Sequence, residues 1–110
     1  MNLRRVWAGF EPSDAVVADL ARVEAIWDSA KGAFGSNDTP WLCGAYSLAD
    51  VFYAPVAARI AGYQLPVGAA AQAYVAAHLN DPAFERWRLT GAARDYDDEP
   101  YNLGLPSRPW

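Results

Sequence analysis

The sequence predicts an all-α fold, a bundle of about four helices followed by a coil tail. Three observations predict it. Apolar residues recur at spacings of three and four along the chain, which is the periodicity of a helix face. The hydrophobic fraction of 53% is rich in alanine, which favours helix packing over strand formation. Helix start and stop signals also divide the chain into segments of helical length. No linker or repeat divides residues 1–110, so we predict a single domain.

The first helix is predicted to begin after Ser13, whose hydroxyl can cap the free N–H groups of the first turn. It should end near Gly35, because residues 35–40 are a dense run of turn formers. Between these limits the apolar positions fall on one face of a helix. They are Val16, Leu20, Val23, Trp27, Ala30 and Phe34.

The second helix has the clearest start signal in the chain. Residues 41–44 are a short apolar segment that we interpret as a buried connector. Ser47 and Asp50 then match a capping box, in which each side chain accepts from the backbone N–H of the other residue. Tyr46 and Val51 flank it as a predicted hydrophobic staple. We therefore assign Ser47 and Asp50 to helix initiation, with no catalytic role.

This second helix is predicted to be buried nearly all round, because small or apolar residues occupy most of its positions. Pro55 lies inside it and should kink it, since proline removes one backbone hydrogen bond. A turn at residues 62–68 separates it from a third helix over residues 70–78. We expect both helices to pack into the same bundle.

A fourth, short helix follows directly. Asp81 suits its N-cap and Pro82 its first position, and it should end near Ala92. Residues 95–110 contain regularly spaced prolines and a glycine, which predict a tail that is largely coil.

Charge and hydropathy exclude two classes of partner. Nine basic and thirteen acidic residues give a net charge of -4, and no basic stripe tracks a phosphate backbone, so nucleic acid is not a predicted partner. No stretch approaches the roughly 20 apolar residues that span a bilayer, and the first ten residues are too short for a signal peptide. We predict no membrane association and a cytoplasmic location. A late acidic run is interpreted as solvated surface: Asp95, Asp97, Asp98 and Glu99.

Cys43 and His78 are the candidates for a chemical role by side-chain type. Cys43 is the only cysteine, so no intramolecular disulfide or all-cysteine metal site is possible, and a small buried hydrophobe is favoured over a nucleophile. His78 is the only histidine, and no second ligand residue lies at metal-binding spacing from it. We therefore predict no metal site and a surface or partly packed side chain. The tryptophans interpreted as core aromatics are Trp27, Trp41 and Trp87.

The segment from Trp41 to Val56, W-L-C-G-A-Y-S-L-A-D-V-F-Y-A-P-V, is similar to the F-L-x-G-x-x-S-x-A-D-x-x-x-A-P-V segment of glutathione S-transferases, especially bacterial and zeta-like ones. In that family it leads into the core helix of the C-terminal domain. The resemblance covers roughly residues 13–90. It implies the all-helical fold of that C-terminal domain.

The family places its catalytic residue and its glutathione-binding loop in an N-terminal thioredoxin-like domain, which this sequence lacks. The resemblance therefore implies no catalytic residue and no cofactor in this chain, with glutathione a co-substrate only if a thioredoxin-like domain is supplied. In an intact enzyme the chain would support glutathione conjugation to an electrophile by lining the hydrophobic substrate site. The alternative is a non-enzymatic helical protein-interaction module or a truncated remnant.

Residues 1–5 resemble the end of the family's first helix in this domain. Arg4, Arg5, Trp7 and Phe10 would then lie near the substrate cleft, where an arginine can pair bidentately with an anion and Trp7 can supply an aromatic wall. The alternative is a disordered or dimer-engaged terminus. Because a shortened first helix exposes apolar surface, we predict a homodimer, with domain swapping as one route, or a thioredoxin-like domain as partner.

Overall fold

A computed structural model describes residues 2–96, 100 and 102–110. These residues form four helices and a small two-stranded sheet, so the predicted helical bundle is confirmed at that level. The elements are β1 (Arg5–Trp7), α1 (Asp14–Phe34), α2 (Leu48–Gly62), α3 (Ala69–Leu79), α4 (Pro82–Ala92) and β2 (Ser107–Pro109). The interpretation of Asp97, Asp98 and Glu99 falls outside the described residues. No helix in the described part of the chain is both long and apolar enough to cross a bilayer.

Helices α1 and α4 begin directly after the predicted capping residues, Ser13 and Asp81. The Ser13 hydroxyl accepts from the backbone N–H of Val16 at the start of α1. The Asp81 carboxylate accepts from the N–H groups of Ala83 and Phe84, at 2.8 and 3.1 Å, and Pro82 follows it as the first residue of α4. These side chains satisfy backbone donors that the first turn of a helix leaves unpaired.

The N-terminal segment corrects one prediction. Residues 1–5 were expected to resemble the end of a helix, but residues 2–4 are not helical and residues 5–7 form a strand. The largely coil tail contains one strand, residues 107–109. The strands are antiparallel, with Val6 opposite Arg108, and the pairing continues through a bond from the Trp110 N–H to the Arg4 carbonyl. Helical periodicity cannot indicate a pairing between segments about 100 residues apart, because it is a local signal.

The core lies mainly between α1, α2 and α3, with a smaller second cluster under the sheet. The main cluster buries the residues Leu20, Trp27, Leu42, Ala57, Ile60, Ala71, Tyr74 and Val75. The second cluster joins Leu3, Ala58 and Phe84, and Trp110 packs against it. Trp110 lies close to α2, since a Cβ built on Gly62 would come within 3.2 Å of the Trp110 ring. The sheet therefore fixes both terminal segments on the second cluster.

Helix α2 corrects the prediction of nearly complete burial. Its inner face carries buried Ala57, Ala58 and Ile60, and the helix is not interrupted at Pro55. Its first two turns instead expose Leu48 and Phe52, at 74% and 78% of their full accessibility. An apolar pattern indicates which side chains of a helix are suited to burial. Whether they are buried depends on whether another element packs on that face.

The contact of Trp110 with the second cluster can be tested by truncation. Trp110→Ala should lower the free energy of unfolding by about 1–3 kcal/mol, less than the usual loss for a fully buried tryptophan because Trp110 is half-buried. Urea denaturation followed by far-UV circular dichroism measures this change. Arg108→Ala, at an exposed position of β2, two residues before Trp110, is the matched control and should leave the midpoint unchanged. Equal effects of the two variants would contradict the packing role.

Candidate functional site

Asp50 at the start of α2 is fully buried and accepts four hydrogen bonds. One carboxylate oxygen accepts from the Ser47 N–H at 2.8 Å and from the Ser47 hydroxyl at 3.1 Å. The other accepts from the Leu42 N–H at 3.2 Å and from the Tyr74 hydroxyl at 2.7 Å. The predicted capping box is present. Asp50 also joins the connector and α3 to α2, which the sequence pattern did not indicate.

The electrostatics of this cluster favour a structural carboxylate. Burial acts to raise the pKa of Asp50, but the hydrogen bonds from Tyr74, Leu42 and Ser47 outweigh it and hold the pKa below its usual value. Burial, followed by the bond to Asp50, raises the pKa of Tyr74 far above its usual value. Asp50 therefore stays ionised and Tyr74 stays protonated near neutral pH, so neither group is poised to transfer a proton.

His78 lies beside this cluster and corrects the prediction of a surface or partly packed histidine. Its side chain is fully buried, and neither ring nitrogen has a hydrogen-bond partner in the described structure. The imidazole packs edge-on against Tyr74 and Trp41, with ring centroids 4.6 and 5.3 Å away. Phe84 lies 6.4 Å away on a third side. Its spacing of four from Tyr74 on α3 was the available signal for burial.

An apolar cavity of about 320 Å³ opens between α2 and α4. We call it the α2–α4 groove. Its lining carries no charged side chain and consists of Tyr46, Val51, Ala54, Pro55, Ala83, Phe84 and Trp87. Small residues on the facing helices, Ala54 and Ala83, leave the space open. Phe84 and Trp87 are three residues apart on one face of α4, and their ring centroids are 5.5 Å apart.

The edge of the groove is also apolar. Trp87 is 39% exposed, which corrects its interpretation as a core aromatic, and Tyr46 is 41% exposed. Leu48 and Phe52 lie beside the groove, because each is one helical turn from a lining residue of α2. Burial, followed by the charges of Asp81 and Asp50, raises the pKa of Tyr46. Its hydroxyl is therefore a neutral donor at the groove.

The residues predicted to bind substrate do not come together. Arg4 and Arg5 line a separate cavity of about 300 Å³ with Arg88 and Trp110, and the Arg5 guanidinium donates to the Ser107 hydroxyl at 3.2 Å. Trp7 is buried in the fold, which excludes its predicted role as an open aromatic wall.

Phe10 instead packs on the ring of Tyr63, with centroids 5.1 Å apart. Neither it nor Arg4, Arg5 or Trp7 lines the α2–α4 groove. Of the groove residues, the sequence pattern indicates Tyr46 and Val51 as a staple, Pro55 as a kink and Trp87 as a core residue.

Other reactive groups lie away from the groove. Cys43 is exposed on the connector, which corrects its prediction as a buried hydrophobe. Its neighbour Leu42 is buried in the core, and Trp41 packs against it. Among the described residues no group of three His, Cys, Asp or Glu side chains is placed to hold a metal ion. The groove thus offers a ligand a concave apolar surface, aromatic rings and one hydroxyl group.

In comparisons with known proteins, no family model, curated protein or solved structure matches this chain.

Proposed function

We propose that the chain is a glutathione S-transferase-like C-terminal domain whose α2–α4 groove binds an apolar electrophile, while glutathione is activated by a thioredoxin-like domain outside this chain. One observation carries this proposal: the groove is concave, uncharged and aromatic, and Tyr46 is the one lining residue with a hydroxyl. Small-molecule sites combine these properties, with an apolar lining and a few polar groups that orient the ligand.

The dimensions of the groove suit a substituted aromatic ring. Its volume of about 320 Å³ lies at the lower end of small-molecule sites, about 300–1,000 Å³. A cavity of about 150 Å³ already holds benzene. Trp87 offers an exposed ring for stacked or edge contacts. The Tyr46 hydroxyl can donate to a nitro or carbonyl oxygen of the ligand.

The same lining favours binding of a ligand over catalysis by the groove residues themselves. It contains no thiol, imidazole or carboxylate, and the raised pKa of Tyr46 keeps its hydroxyl protonated, so the lining offers no base to deprotonate a thiol. The resemblance assigns that task to the thioredoxin-like domain. In this proposal the helical domain supplies the hydrophobic wall of the substrate site.

A non-enzymatic protein-interaction module is the second candidate function. The observation that favours it is the exposure of Leu48 and Phe52 next to the groove. Large apolar side chains grouped on a surface are typical of protein contacts. The two candidates differ in whether a small apolar ligand saturates the groove.

Binding of 1,3-dinitrobenzene tests the proposed ligand site. This probe has no leaving group, so it cannot arylate the exposed Cys43. We expect saturable quenching of tryptophan fluorescence, because nitroaromatic rings stacked on Trp87 quench it. Ala83→Leu, which fills the groove, should weaken binding at least tenfold, since one misplaced side chain costs about 1–3 kcal/mol. Ala76→Leu, at an exposed position on α3, is the matched control and should bind normally.

Absence of saturable quenching, or equal binding by Ala83→Leu and the native chain, would refute the ligand site. A parallel assay with 1-chloro-2,4-dinitrobenzene and glutathione should give no conjugation above the uncatalysed rate. Turnover above that rate would refute the division of labour between this chain and a thioredoxin-like domain.

A further inference from the structure

A cavity separate from the α2–α4 groove, of about 300 Å³, opens between the small sheet and α4. We call it the arginine cavity, because three of the chain's nine basic residues line it. No acidic residue is among the described residues of its lining. These are Arg4, Arg5, Arg88, Ala92, Pro109 and Trp110.

The native packing brings these arginines to one place. Leu3 is buried in the second cluster, and a Cβ built on Gly91 of α4 would come within 3.0 Å of the Leu3 side chain. The next residue, Arg4, accepts at its carbonyl from the Trp110 N–H at 3.0 Å. Arg88 is three residues before Gly91 on α4, so the two share a face of the helix. The backbone around the cavity is therefore positioned by the core and the sheet.

We propose that the arginine cavity binds the phosphate group of a small phosphate monoester whose body is flat and apolar, such as an aryl phosphate. A guanidinium group carries a positive charge at neutral pH and pairs bidentately with phosphate oxygens. Trp110 is half-buried at the same cavity, and its ring offers a face for the apolar body of the ligand. This inference goes beyond the proposed function and does not depend on the α2–α4 groove.

The charge of the cavity suits a dianion. Positive charges that line one cavity repel one another, and a doubly negative group between them reduces that repulsion. Each guanidinium has five N–H donors in a planar fork. Arg5, which donates to the Ser107 hydroxyl at 3.2 Å, can therefore keep contacts within the protein and still bind an oxygen of the ligand. A carboxylate carries one charge and two oxygens, so it should bind more weakly than a phosphate group.

Size and net charge favour a small soluble ligand over a polyanion. The volume of about 300 Å³ lies at the lower end of small-molecule sites, about 300–1,000 Å³. The whole chain has a net charge of -4, which repels nucleic acids and anionic membranes at long range. A small ester meets mainly the local positive charge of the cavity once it has entered.

Isothermal titration calorimetry of the full chain with phenyl phosphate at pH 8 tests the site. The phosphate group is then a dianion, since its second pKa is about 6. We expect saturable binding that weakens as sodium chloride screens the arginines. Benzoate, which has the ring and one charge, and inorganic phosphate, which has no ring, should each bind more weakly. Absence of saturable binding, or equal binding of either comparison compound, would overturn the proposal.

Substitution of the arginines locates the bound phosphate. Arg88→Gln and Arg4→Gln should each weaken phenyl phosphate binding at least about tenfold, because each removes a charged partner of the phosphate. Arg86→Gln is the matched control: it removes the same charge from an exposed position of α4 that does not line the cavity. It should bind normally, and circular dichroism verifies that each variant is folded. Equal losses in all three variants, or normal binding by folded Arg88→Gln and Arg4→Gln, would overturn the site.

A vesicle assay separates a soluble ester from a lipid headgroup of the same chemistry. Phosphatidic acid ends in a phosphate monoester, so vesicles of phosphatidylcholine that contain it are the probe. We expect the chain to stay in the supernatant when these vesicles are sedimented. Sedimentation of the native chain with the vesicles, lost in Arg88→Gln, would overturn the soluble ligand in favour of a membrane surface.

The arginine cavity and the α2–α4 groove can fail separately. Ala83→Leu fills the groove and should bind phenyl phosphate normally, whereas Arg88→Gln should bind the uncharged 1,3-dinitrobenzene normally. If 1,3-dinitrobenzene does not bind but the phenyl phosphate results hold, only the groove is refuted. Loss of phenyl phosphate binding in Ala83→Leu would overturn the assignment of the phosphate to the arginine cavity.

Discussion

Asp50→Ala should lower the free energy of unfolding by about 3–5 kcal/mol, the largest loss we expect from one substitution. The variant leaves the N–H groups of Leu42 and Ser47 and the Tyr74 hydroxyl without their acceptor. Each unsatisfied buried donor costs about 1–3 kcal/mol, and water can relieve part of that cost. The loss should exceed that for a simple helix cap, about 0.5–2 kcal/mol.

Urea denaturation of the native chain and four variants, Asp50→Ala among them, measures this effect. Asp50→Asn, which keeps the shape and one carbonyl acceptor, should lose less than Asp50→Ala. Tyr74→Phe and the double variant that combines it with Asp50→Ala complete a double-mutant cycle. Its coupling energy measures the 2.7 Å hydrogen bond from the Tyr74 hydroxyl to the Asp50 carboxylate. A loss below about 1 kcal/mol for Asp50→Ala, the size typical of an average substitution, would contradict the anchoring role.

The same carboxylate predicts acid sensitivity. The pKa of Asp50 is lowered in the folded chain, so its stabilising contribution is present above the unfolded value of about 3.9 and is lost as pH falls through the lower, folded value. The stability of the native chain should therefore fall below about pH 4. Asp50→Ala should lack this part of the acid dependence.

His78→Phe should raise the free energy of unfolding by about 1–3 kcal/mol, the largest gain we expect from one substitution. Both ring nitrogens of His78 are buried without a hydrogen-bond partner in the described structure, and a phenyl ring removes that penalty. The site suits an aromatic ring, because Trp41, Tyr74 and Phe84 surround it. Thermal and urea denaturation at pH 7 measure the gain.

The pH dependence supplies an independent readout for His78. Burial lowers its pKa in the folded chain, although the carboxylates of Asp50 and Asp81 act in the opposite direction. The unfolded chain therefore binds a proton near pH 6.5 that the folded chain takes up only at lower pH. Stability should decline as pH falls from about 6.5, because protonation favours the unfolded state.

Substitution at this position should remove that decline. His78 is the only histidine, so between pH 7 and 5 the slope of stability against pH should flatten in His78→Phe. His78→Gln is the matched control: it removes the titration but keeps a buried polar group, so it should flatten the slope without raising stability. Curves for His78→Phe that run parallel to those of the native chain would contradict the buried, unpartnered imidazole.

The helix starts were predictable because their signals are local. Ser13 and Asp81 accept from backbone donors two or three residues away. Ser47 and Asp50 likewise lie within one turn. The bond from Tyr74 to Asp50 was not predictable, because it joins residues 24 apart on different helices. Hence the role of Asp50 as a cap was foreseen and its role as a tertiary anchor was not.

The candidate site was less predictable than the fold. A groove exists only where two helices diverge, and the spacing of Val51 and Pro55 on α2 carries no information about the distance to α4. The family resemblance likewise implied that Trp7 and Arg5 share one site, whereas the structure buries Trp7 and places Arg5 at another cavity.

Chemical-shift mapping by NMR on the ¹⁵N-labelled chain tests most directly whether the α2–α4 groove is the binding surface. On addition of 1,3-dinitrobenzene, the largest changes should fall on the backbone amides of Val51 and Ala83 and on the indole N–H of Trp87. Changes centred instead on the cavity between α1 and α3, around Lys31 and Ala70, or spread evenly over the chain, would contradict it.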